Sequence, residues 1–529
     1  MLATRPSSLL WLAAASVTAT IVPAHTIGNA SWPFQSYRTA IFTPPTLEIT
    51  GKNLSSEGYL FLAPDGPAAF QTAPLIMDME GELVWNGLST HAFNFGVQQY
   101  KGEDVLVFWN GSVFPEPVGR GNGVVHLLNK SYESVANVTL PGNFVELTPN
   151  ASYASNIDLH EIKLTPRGTV LVTANNVTQA DLSSVGGPED GWIVNCFVYE
   201  IDIATNEILF EWDSLSHLDQ LPLKYSLYPL GSEGYTGATQ EKAWGYFHIN
   251  AVALFEDGYI VSSRYFCSAI AVGRDGRVKW RLQGRDGGDF TLGNGTNFCY
   301  QHDIRATPSN STNCGFSLHM HDNANSPIDN NTVPTSGLLL DVDIASKQVS
   351  LNKRYVNASG LIFSTAQGDY QPLSNGNVFL GHGWVPVSEE YAPSGEILST
   401  IQYGAASKRP QGGFYSTEAS GKATTLSYRT FKQTWIGCPM TKPHIVAQIE
   451  DHGTDVYVSW NGATEISGWE IYGGWTAGNL SCIATVPRTG FETVAHIQRV
   501  NYAQARPVLN GSRCHYGEEM RSDVVGLVG

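Results

Sequence analysis

The sequence predicts an all-β fold: a six-bladed β-propeller followed by a small C-terminal β-sandwich of the fibronectin or immunoglobulin type. The first observation is the composition, with 42% hydrophobic residues, only 15% charged residues and 53 glycines among 529 residues. Such a composition is typical of a globular chain rich in turns. The second observation is a repeated strand–turn–strand unit. The length suffices for one large β-domain and a smaller one.

The repeated unit is an apolar strand, a turn in which Asp, Asn or Arg is commonly followed by Gly, and a second apolar strand. Its clearest copies cover residues 100–109, 164–174, 254–264 and 373–384. Segments of a second type, typical of the outer strands of a blade, cover residues 81–85, 206–212, 276–280 and 395–400. Irregular repeats of four short strands indicate a propeller of about six blades. The alternative is one large sandwich or two, but the similarity of the repeats to one another favours the propeller.

The composition changes near residues 438–442. Beyond this point the strands alternate apolar and polar residues, and the segment VSWNGATEISGWEIY has the pattern of a fibronectin-type sandwich. We therefore predict a propeller domain at residues 25–440 and a sandwich domain at residues 441–529. In the alternative, the last strands close or cap the propeller.

The first 24 residues have the features of a secretory signal peptide. Arg5 precedes an apolar run at residues 9–15, and the small residues Val22 and Ala24 precede His25. The run is too short to span a bilayer, which disfavours a membrane anchor, and no later stretch is apolar enough to span one. We predict a secreted protein, located outside the cell or in the lumen of the secretory pathway.

Sequons of the Asn-x-Ser/Thr type support secretion, and their density predicts a eukaryotic glycoprotein. The acceptor residues are Asn29, Asn53, Asn110, Asn129, Asn137, Asn150, Asn176, Asn294, Asn310, Asn330, Asn357, Asn479 and Asn510.

The 7 cysteines allow up to three disulfides and one free thiol in an oxidising compartment. Cys299 and Cys314 are close enough in sequence to bridge one strand–loop–strand unit. Cys482 and Cys514 share the C-terminal domain. The pairing of the others stays open, and they are Cys196, Cys267 and Cys438.

Charge and motifs exclude several classes of function. The formal net charge of −17 disfavours nucleic acid as a partner, because an acidic surface repels phosphates. Neither CxxC nor HExxH occurs, so zinc is not indicated. The chain lacks the GxSxG motif of α/β-hydrolases and a Gly-rich phosphate cradle. We therefore expect neither a cofactor nor a metal.

Three histidines stand at equivalent positions of consecutive repeats. His160 shortly precedes Leu164, His248 shortly precedes Leu254, and His302 enters the next unit in YQHDIR. The start of the innermost strand of a blade faces the central channel of a propeller, so these side chains are expected to converge there. Taken singly, each histidine is better explained as a surface or core residue, and it is their common register that favours a functional site.

Arg264 ends the strand that follows His248 in the same repeat. A surface cation is the alternative, but the following Tyr-Phe-Cys favours a buried or rim position. There its guanidinium would bind a planar or tetrahedral anion through two donors. Imidazoles around an arginine suit the transfer or hydrolysis of an anionic group, with one imidazole as nucleophile and the others stabilising charge or moving protons.

The chain resembles the arylsulfotransferase family, in its secreted fungal branch, from about Tyr37 onwards. The resemblance is carried by the segments IDLHEIKLTPRGTVLVTA, FEWDSLSH, FHINAVALFEDGYIVSSRY, GRVKWRLQG, FCYQHDIRA and SNGNVFLGHGW. It implies a six-bladed propeller that transfers a sulfuryl group from a phenolic sulfate ester to a phenolic acceptor, without an adenylyl sulfate cofactor. It also implies the catalytic residues His302, His160, His248 and Arg264, of which His302 becomes sulfated. The adjacent Asp303 is a candidate for orienting His302, although neighbours on a strand point to opposite faces.

Two positions depart from the family pattern. His321 stands in MHDNAN where Phe is usual, and His382 stands in GHGW where an aromatic residue is more typical. Two alternatives therefore stay open beside the transferase. One is a hydrolase or tailoring enzyme that acts on a phenolic or polyketide secondary metabolite on the same scaffold. The other is a non-catalytic secreted binding glycoprotein. The oligomeric state also stays open.

Overall fold

The computed structural model describes residues 21–27, 30–51, 56–114, 119–308, 315–326, 328–329, 333–408, 414–415, 425–511, 513–517 and 520–527. Within these ranges the chain is built of β-strands joined by turns and loops. Its helical segments are short 3-10 turns at Ser183–Val185, Leu215–His217, Leu223–Tyr225, Ser232–Gly234 and Gln240–Lys242. The predicted all-β class is confirmed.

The N-terminal part forms a hairpin and one short strand. These are β1 (Ile21–Ile27), β2 (Ala30–Gln35) and β3 (Glu48–Thr50). The predicted cleavage point after Ala24 lies within β1, and residues 1–20 of the predicted signal peptide lie outside the described residues. The signal peptide stays a prediction.

Six sheets, each with four antiparallel main strands, make up most of the described chain. Sheet 1 joins a strand from much later in the sequence to three early ones, in the order β32 (Phe431–Gln433), β4 (Tyr59–Leu62), β5 (Leu75–Met77) and β6 (Leu83–Asn86). Sheet 2 consists of β7 (Ala92–Tyr100), β8 (Glu103–Phe114), β9 (Arg120–Leu128) and β10 (Ser134–Val138). Sheet 3 consists of β11 (Ile162–Leu164), β12 (Thr169–Ala180), β13 (Gly191–Asp202) and β14 (Ile208–Asp213).

The next three sheets repeat this order and add short edge strands. Sheet 4 consists of β15 (Ile249–Phe255), β16 (Gly258–Ser263), β17 (Ser268–Val272), β18 (Val278–Gln283) and β19 (Gly287–Gly288). Sheet 5 consists of β21 (His302–Pro308), β22 (Gly315–Asp322), β23 (Ser336–Asp343), β24 (Gln348–Tyr355) and β20 (Thr291–Leu292). Sheet 6 consists of β26 (Asp369–Pro372), β27 (Val378–Gly381), β28 (Val387–Tyr391), β29 (Ile397–Gln402) and β3. A small separate sheet contains β25 (Ile362–Phe363), β30 (Ser407–Lys408) and β31 (Phe414–Tyr415).

Apolar clusters join each sheet to the next one along the chain. A further cluster joins sheet 6 to sheet 1, where Phe379 and Ile401 pack with Leu60 and Leu62. The apolar packing therefore runs from each sheet to the next and from the last sheet back to the first. Because alternate residues of a strand face opposite sides, both faces of these sheets contribute to the core.

The C-terminal residues form two further sheets that share one apolar core. The first consists of β33 (His444–Glu450), β34 (Gly453–Ser459) and β37 (Glu492–Ile497). The second consists of β35 (Ile466–Thr476), β36 (Asn479–Pro487), β38 (Tyr502–Leu509) and β39 (Val525–Gly526). Val456 and Val458 of the first sheet pack with Trp469 and Ile471 of the second.

The disulfides correct two sequence-based expectations: Cys299 does not pair with Cys314, and Cys514 pairs with Cys438 instead of Cys482. Cys267 bonds to Cys299, so the expected bridge between Cys299 and Cys314 is wrong. The reason is that the turn after β16 returns beside the segment that leads into β21, which brings Cys267 closer than sequence spacing indicated. Cys314 lies outside the described residues. The second disulfide joins Cys438 and Cys514. Cys196 and Cys482 are free.

The described sequon asparagines are exposed or partly exposed, which leaves them open to glycosylation: Asn110, Asn129, Asn137, Asn150, Asn176, Asn294, Asn357, Asn479 and Asn510. The other predicted acceptors lie outside the described residues: Asn29, Asn53, Asn310 and Asn330. In the part of the chain that the structure describes, no helix has the length and apolar character needed to cross a membrane.

Candidate functional site

The four predicted site residues lie in one buried cluster, which we call the histidine cluster: His160, His248, Arg264 and His302. None of them is more than 6% exposed. The rings of His160 and His248 meet edge to face with their centroids 4.6 Å apart. His248 also accepts a backbone hydrogen bond from Arg264, with 2.9 Å between N and O. Burial lowers the pKa of His302 well below its usual value, and the nearby charges of Arg264 and His160 lower it further.

The three histidines stand at the entry to the first strands of three consecutive sheets. His160 precedes β11, His248 directly precedes β15, and His302 is the first residue of β21. His248 has a left-handed backbone with a φ of 57°, a conformation that costs free energy in a residue with a side chain. The strand that follows carries a bulge between Ile249 and Ala251. Bulges of this kind redirect a side chain next to functional sites.

His302 is held as a neutral imidazole with a defined tautomer. The Asn323 amide NH₂ donates to the carbonyl oxygen of Gln367 over 3.0 Å, which leaves Asn323 Oδ1 as an acceptor. His302 Nδ1 donates to that oxygen over 2.7 Å, and the Gln367 N–H donates to His302 Nε2 over 3.1 Å. This network assigns the proton to Nδ1 and the lone pair to Nε2. The lowered pKa of His302 agrees with a neutral ring near pH 7.

His160 forms a buried pair with Asp158. His160 Nδ1 donates to Asp158 Oδ2 over 2.5 Å, and the Gly121 N–H donates to the other carboxylate oxygen over 2.8 Å. Burial raises the pKa of Asp158, but the charge and hydrogen bonds of His160 outweigh it, and the net pKa is below the usual value. A carboxylate placed in this way fixes the ring orientation and stabilises a proton on the imidazole.

The terminal nitrogens of Arg264 have hydrogen-bond partners, whereas its Nε has none among the described residues. Its terminal nitrogens donate to Tyr265 Oη and to the Thr365 carbonyl oxygen, both over 2.8 Å. Its Nε is buried without a partner among the described residues, and so is His248 Nε2. Burial lowers the pKa of His248 well below its usual value, and the charges of His160 and Arg264 add to this. Buried polar atoms without partners are uncommon, and an ordered water, an ion or a ligand can supply the missing partner.

The histidine cluster is nearly closed in this structure. A cavity of about 10 Å³ lies between His160 and His248, which is space for about one water molecule. Arg120 lines this cavity, and its guanidinium pairs with the buried Glu146 over 2.6 Å. A ligand much larger than one water would fit this cavity only if the side chains around it moved.

The family model described as Arylsulfotransferase (ASST) matches residues 96–404, which is more than half of the chain. The chain belongs to the arylsulfotransferase family. The matched region contains all four residues of the histidine cluster. A search among curated proteins found no match to this chain.

Several solved structures share low similarity with this arylsulfotransferase family member. A protein of unknown function from Bacteroides caccae is 11% identical, with 71% of this chain and 98% of that chain covered and a TM-score of 0.35. The GH43 BlXynB protein from Bacillus licheniformis is 8% identical, with 80% and 86% covered and a TM-score of 0.31. Apo AztD from Citrobacter koseri is 10% identical, with 85% and 99% covered and a TM-score of 0.24. Similarity at this level carries no argument about function.

The structure also adds residues near the histidine cluster that the sequence patterns missed. The Tyr428 ring lies 5.7 Å from the His160 ring and 6.3 Å from the His302 ring, centroid to centroid. Its hydroxyl is buried without a partner among the described residues. Asn323, which orients His302, stands in MHDNAN, and the predicted candidate Asp303 instead pairs with Arg305. Neither Tyr428 nor Asn323 belongs to the strand–turn–strand repeat that located the histidines.

The two histidines that depart from the family pattern form a buried chain. His382 Nε2 lies 3.0 Å from Glu389 Oε2, and His382 Nδ1 lies 3.1 Å from His321 Nε2. His321 is the cross-strand partner of His302. Burial lowers the pKa of His321 well below its usual value, followed by the charge of His382. An aromatic residue in place of His382 would remove its contacts with His321 and Glu389, although Glu389 also accepts from Tyr391 Oη and Asn357 Nδ2.

A second group of charges, which we call the arginine network, lies next to the histidine cluster: Glu161, Asp303, Arg305 and Arg429. Glu161 accepts from Arg429 Nη1 and from Arg305 Nη1, both over 2.8 Å. Arg305 Nη2 also lies 2.7 Å from Asp303 Oδ1. Burial raises the pKa of Glu161, but the two arginines outweigh it and lower it to about 2. Beyond this network lies a cavity of about 530 Å³, to which the first strands of all six sheets contribute residues.

Proposed function

We propose that the protein is a secreted aryl-sulfate sulfotransferase, which moves a sulfuryl group from a phenolic sulfate ester to a phenolic acceptor through a sulfo-histidine at His302. Family membership supports sulfuryl transfer in general. The observation that carries the specific proposal is the state of His302, a neutral buried imidazole whose Nε2 lone pair lies near a partly unpaired arginine. The two disulfides support a location in an oxidising compartment.

We further propose that sheets 1 to 6 are the blades of a six-bladed propeller at residues 25–440 and that the two C-terminal sheets form a sandwich at residues 441–529. Three features support this arrangement. Each sheet has four antiparallel strands in sequence order, β32 completes sheet 1, and apolar clusters join sheet 6 back to sheet 1. Closing a propeller with a strand from the other end of the repeat region removes exposed edges.

In the first step, the sulfate ester lies with its non-bridging oxygens at Arg264, because a guanidinium donates several hydrogen bonds in one plane to a tetrahedral anion. His302 Nε2 releases the Gln367 N–H and attacks the sulfur. The new N–S bond forms as the S–O bond to the phenol breaks, and the electron pair of that bond leaves with the phenolic oxygen. His160 donates a proton to this oxygen, and Asp158 stabilises the proton on His160 before transfer.

In the second step, the acceptor phenol replaces the first phenol. His160 now takes the proton of the acceptor hydroxyl, and the acceptor oxygen attacks the sulfur. The N–S bond breaks and its electron pair returns to His302 Nε2, so the enzyme regains its starting state. His248 Nε2 faces the cluster without a partner and serves to contact the transferred oxygens. Burial of the cluster excludes water, which would otherwise hydrolyse the sulfo-histidine.

The test uses p-nitrophenyl sulfate with and without phenol. We expect release of p-nitrophenol to depend on the acceptor, and a wild-type mass about 80 Da higher after donor alone, as a covalent intermediate requires. His302→Ala should abolish both signals, while exposed His515→Ala should keep both. Release without acceptor at the same rate would indicate the hydrolase instead. No release and no added mass under any condition would indicate a binding protein.

A further inference from the structure

A second group of histidines lies in the C-terminal sheets, in the part of the chain after residue 440. His452 stands in the turn between β33 and β34, Asp455 lies in β34, and His496 lies in β37 as the cross-strand partner of Asp455. The catalytic proposal uses none of these residues. Residues directly opposite each other on neighbouring strands hold their side chains within contact distance.

The three side chains aim at one point. Asp455 Oδ1 lies 2.8 Å from His452 Nε2 and 2.6 Å from His496 Nδ1. Their potential ligand atoms all lie within 4.8 Å of one another. The turn is fixed by Gly453, which has a φ of 143° and where an added Cβ would lie 2.3 Å from the Ile497 carbonyl oxygen. This tight turn places His452 next to the strand pair.

We propose that His452, Asp455 and His496 form a binding site for a divalent transition metal of the zinc, nickel and copper group. Two imidazoles and one carboxylate are ligands that these ions accept, whereas magnesium and calcium prefer oxygen ligands alone. With metal–ligand bonds of about 2.0–2.1 Å, tetrahedral ligand atoms lie about 3.3 Å apart. Small side-chain rotations from the present distances therefore make room for the ion.

Exposure and charge fit the same assignment. The imidazoles are 56% and 59% exposed, so an ion reaches them from solvent and a fourth position stays open to water. Asp455 is only 10% exposed, and its position is fixed by the strand. Its carboxylate supplies the anionic ligand of the site, and both imidazoles contact the same oxygen, Oδ1.

A bound ion would join the β33–β34 turn to β34 and β37 and thereby stabilise the C-terminal sheets. Because an ion that binds only the folded state raises stability with its concentration, zinc should raise the unfolding temperature. This effect is independent of sulfuryl transfer, so the metal site and the proposed activity can fail separately.

The test is isothermal titration of the untagged full-length protein with zinc chloride, with nickel and magnesium chlorides as comparisons. We expect one equivalent of zinc to bind, nickel to compete with it, and magnesium to give no heat. The variants His452→Ala and His496→Ala should each bind at least about tenfold more weakly, since even outer-shell changes cost about 10- to 100-fold in metal affinity. His515→Ala, an exposed histidine outside the site, should bind as the wild type does.

Asp455→Asn serves as a variant that keeps the side-chain shape. It should also weaken zinc binding and abolish the zinc-dependent rise in unfolding temperature. The proposal is overturned if the double variant His452→Ala/His496→Ala binds zinc with the same stoichiometry and affinity as the wild type. It is equally overturned if the wild type binds no zinc. Cobalt absorption bands give a second readout, and their loss in the double variant is expected.

Discussion

The histidine cluster and the arginine network lie next to each other on the first strands of the same sheets, yet they differ in how their polar groups are matched. In the histidine cluster, Arg264 Nε, His248 Nε2 and Tyr428 Oη are buried without partners among the described residues. In the arginine network, each carboxylate has an arginine partner: Glu161 contacts Arg305 and Arg429, and Asp303 contacts Arg305. The one network atom buried without a partner among the described residues is Arg429 Nε. The cluster has space for about one water, while the network borders a cavity of about 530 Å³.

If the histidine cluster is the reactive site that we propose, open volume is a poor guide to that site in this fold. A cavity of about 950 Å³ at the outer side of sheets 2 and 3 includes none of the four predicted residues. Charges that satisfy each other stabilise a structure but have little left to offer a ligand. Unmatched donors and a lone pair cost stability, and such groups persist at sites where a ligand binds.

The largest expected effect is on stability and lies in the arginine network. Glu161→Gln keeps the shape but leaves Arg305 and Arg429 without their shared carboxylate, and breaking a buried ion pair costs about 3–5 kcal/mol. Urea denaturation should show this loss, while the exposed Glu189→Gln should change the free energy of unfolding by less than about 0.5 kcal/mol. A loss below about 1 kcal/mol for Glu161→Gln would mean that the network is not a stabilising element.

The next effect is on activity and lies in the histidine cluster. Arg264→Lys keeps the charge but removes the planar set of donors, and loss of a positioned donor to a developing charge lowers kcat by about 10²- to 10³-fold. We expect this loss in p-nitrophenyl sulfate turnover. The hydrogen bonds to Tyr265 Oη and the Thr365 carbonyl oxygen are also lost, which lowers the free energy of unfolding by about 1–3 kcal/mol, so turnover is measured where the variant is still folded. The exposed Arg274→Lys is the matched control. Equal turnover in both variants would remove Arg264 from the proposed mechanism.

The sequence predicted the histidine cluster because its members share a register in the repeat. His160, His248 and His302 each precede or begin a first strand, and a repeated strand–turn–strand pattern makes that position visible. Asn323, Gln367 and Tyr428 act on His302 from loops and from a segment outside the repeats. A loop contact depends on the closure of distant parts of the chain, which a local pattern does not encode.

The fold was predicted at the level of class and repeat for the same reason. Alternating apolar residues and Gly turns reveal strands, and the structure is all-β. The pairing of β32 with β4 joins residues near the two ends of the repeat region, and no local pattern predicts it. The disulfide prediction failed at Cys299, because spacing along the chain does not report which turns meet in space.

The pH dependence of the free energy of unfolding gives a third test of the contrast between the histidine cluster and the arginine network. The pKa values of His248 and His302 are lowered in the folded state, chiefly by burial, from 6.5 in the unfolded chain. Below pH 6.5 the unfolded state therefore binds more protons, and stability that is fully present above this pH is lost as the pH falls. Each such histidine contributes a slope of about 1.4 kcal/mol per pH unit.

The measurement is the free energy of unfolding between pH 7 and pH 5 for wild type and His302→Gln. Below pH 6.5 the slope of the variant should be smaller than that of the wild type by the contribution of about one proton. An identical slope in wild type and His302→Gln would mean that His302 titrates normally in the folded protein, and the neutral-nucleophile proposal would lose its support.

The smallest expected effect concerns a single hydroxyl of the histidine cluster. Tyr428 Oη is buried and has no partner among the described residues, so Tyr428→Phe removes an unmatched polar group and keeps the ring that contacts His160 and His302. Removal of such a group is neutral or stabilising, whereas removal of one member of a hydrogen-bonded pair costs about 1–3 kcal/mol. We therefore expect an unfolding free energy equal to or slightly above that of the wild type.

If the hydroxyl contacts the sulfate ester, kcat/KM should fall by about tenfold, which corresponds to one hydrogen bond of about 1.4 kcal/mol. Tyr472→Phe, at a partly exposed tyrosine of the C-terminal sheets that donates to Glu470, is the control for activity and should keep full turnover. A stability loss of more than about 1 kcal/mol in Tyr428→Phe would mean that the hydroxyl has a protein partner, and this part of the cluster would then resemble the arginine network.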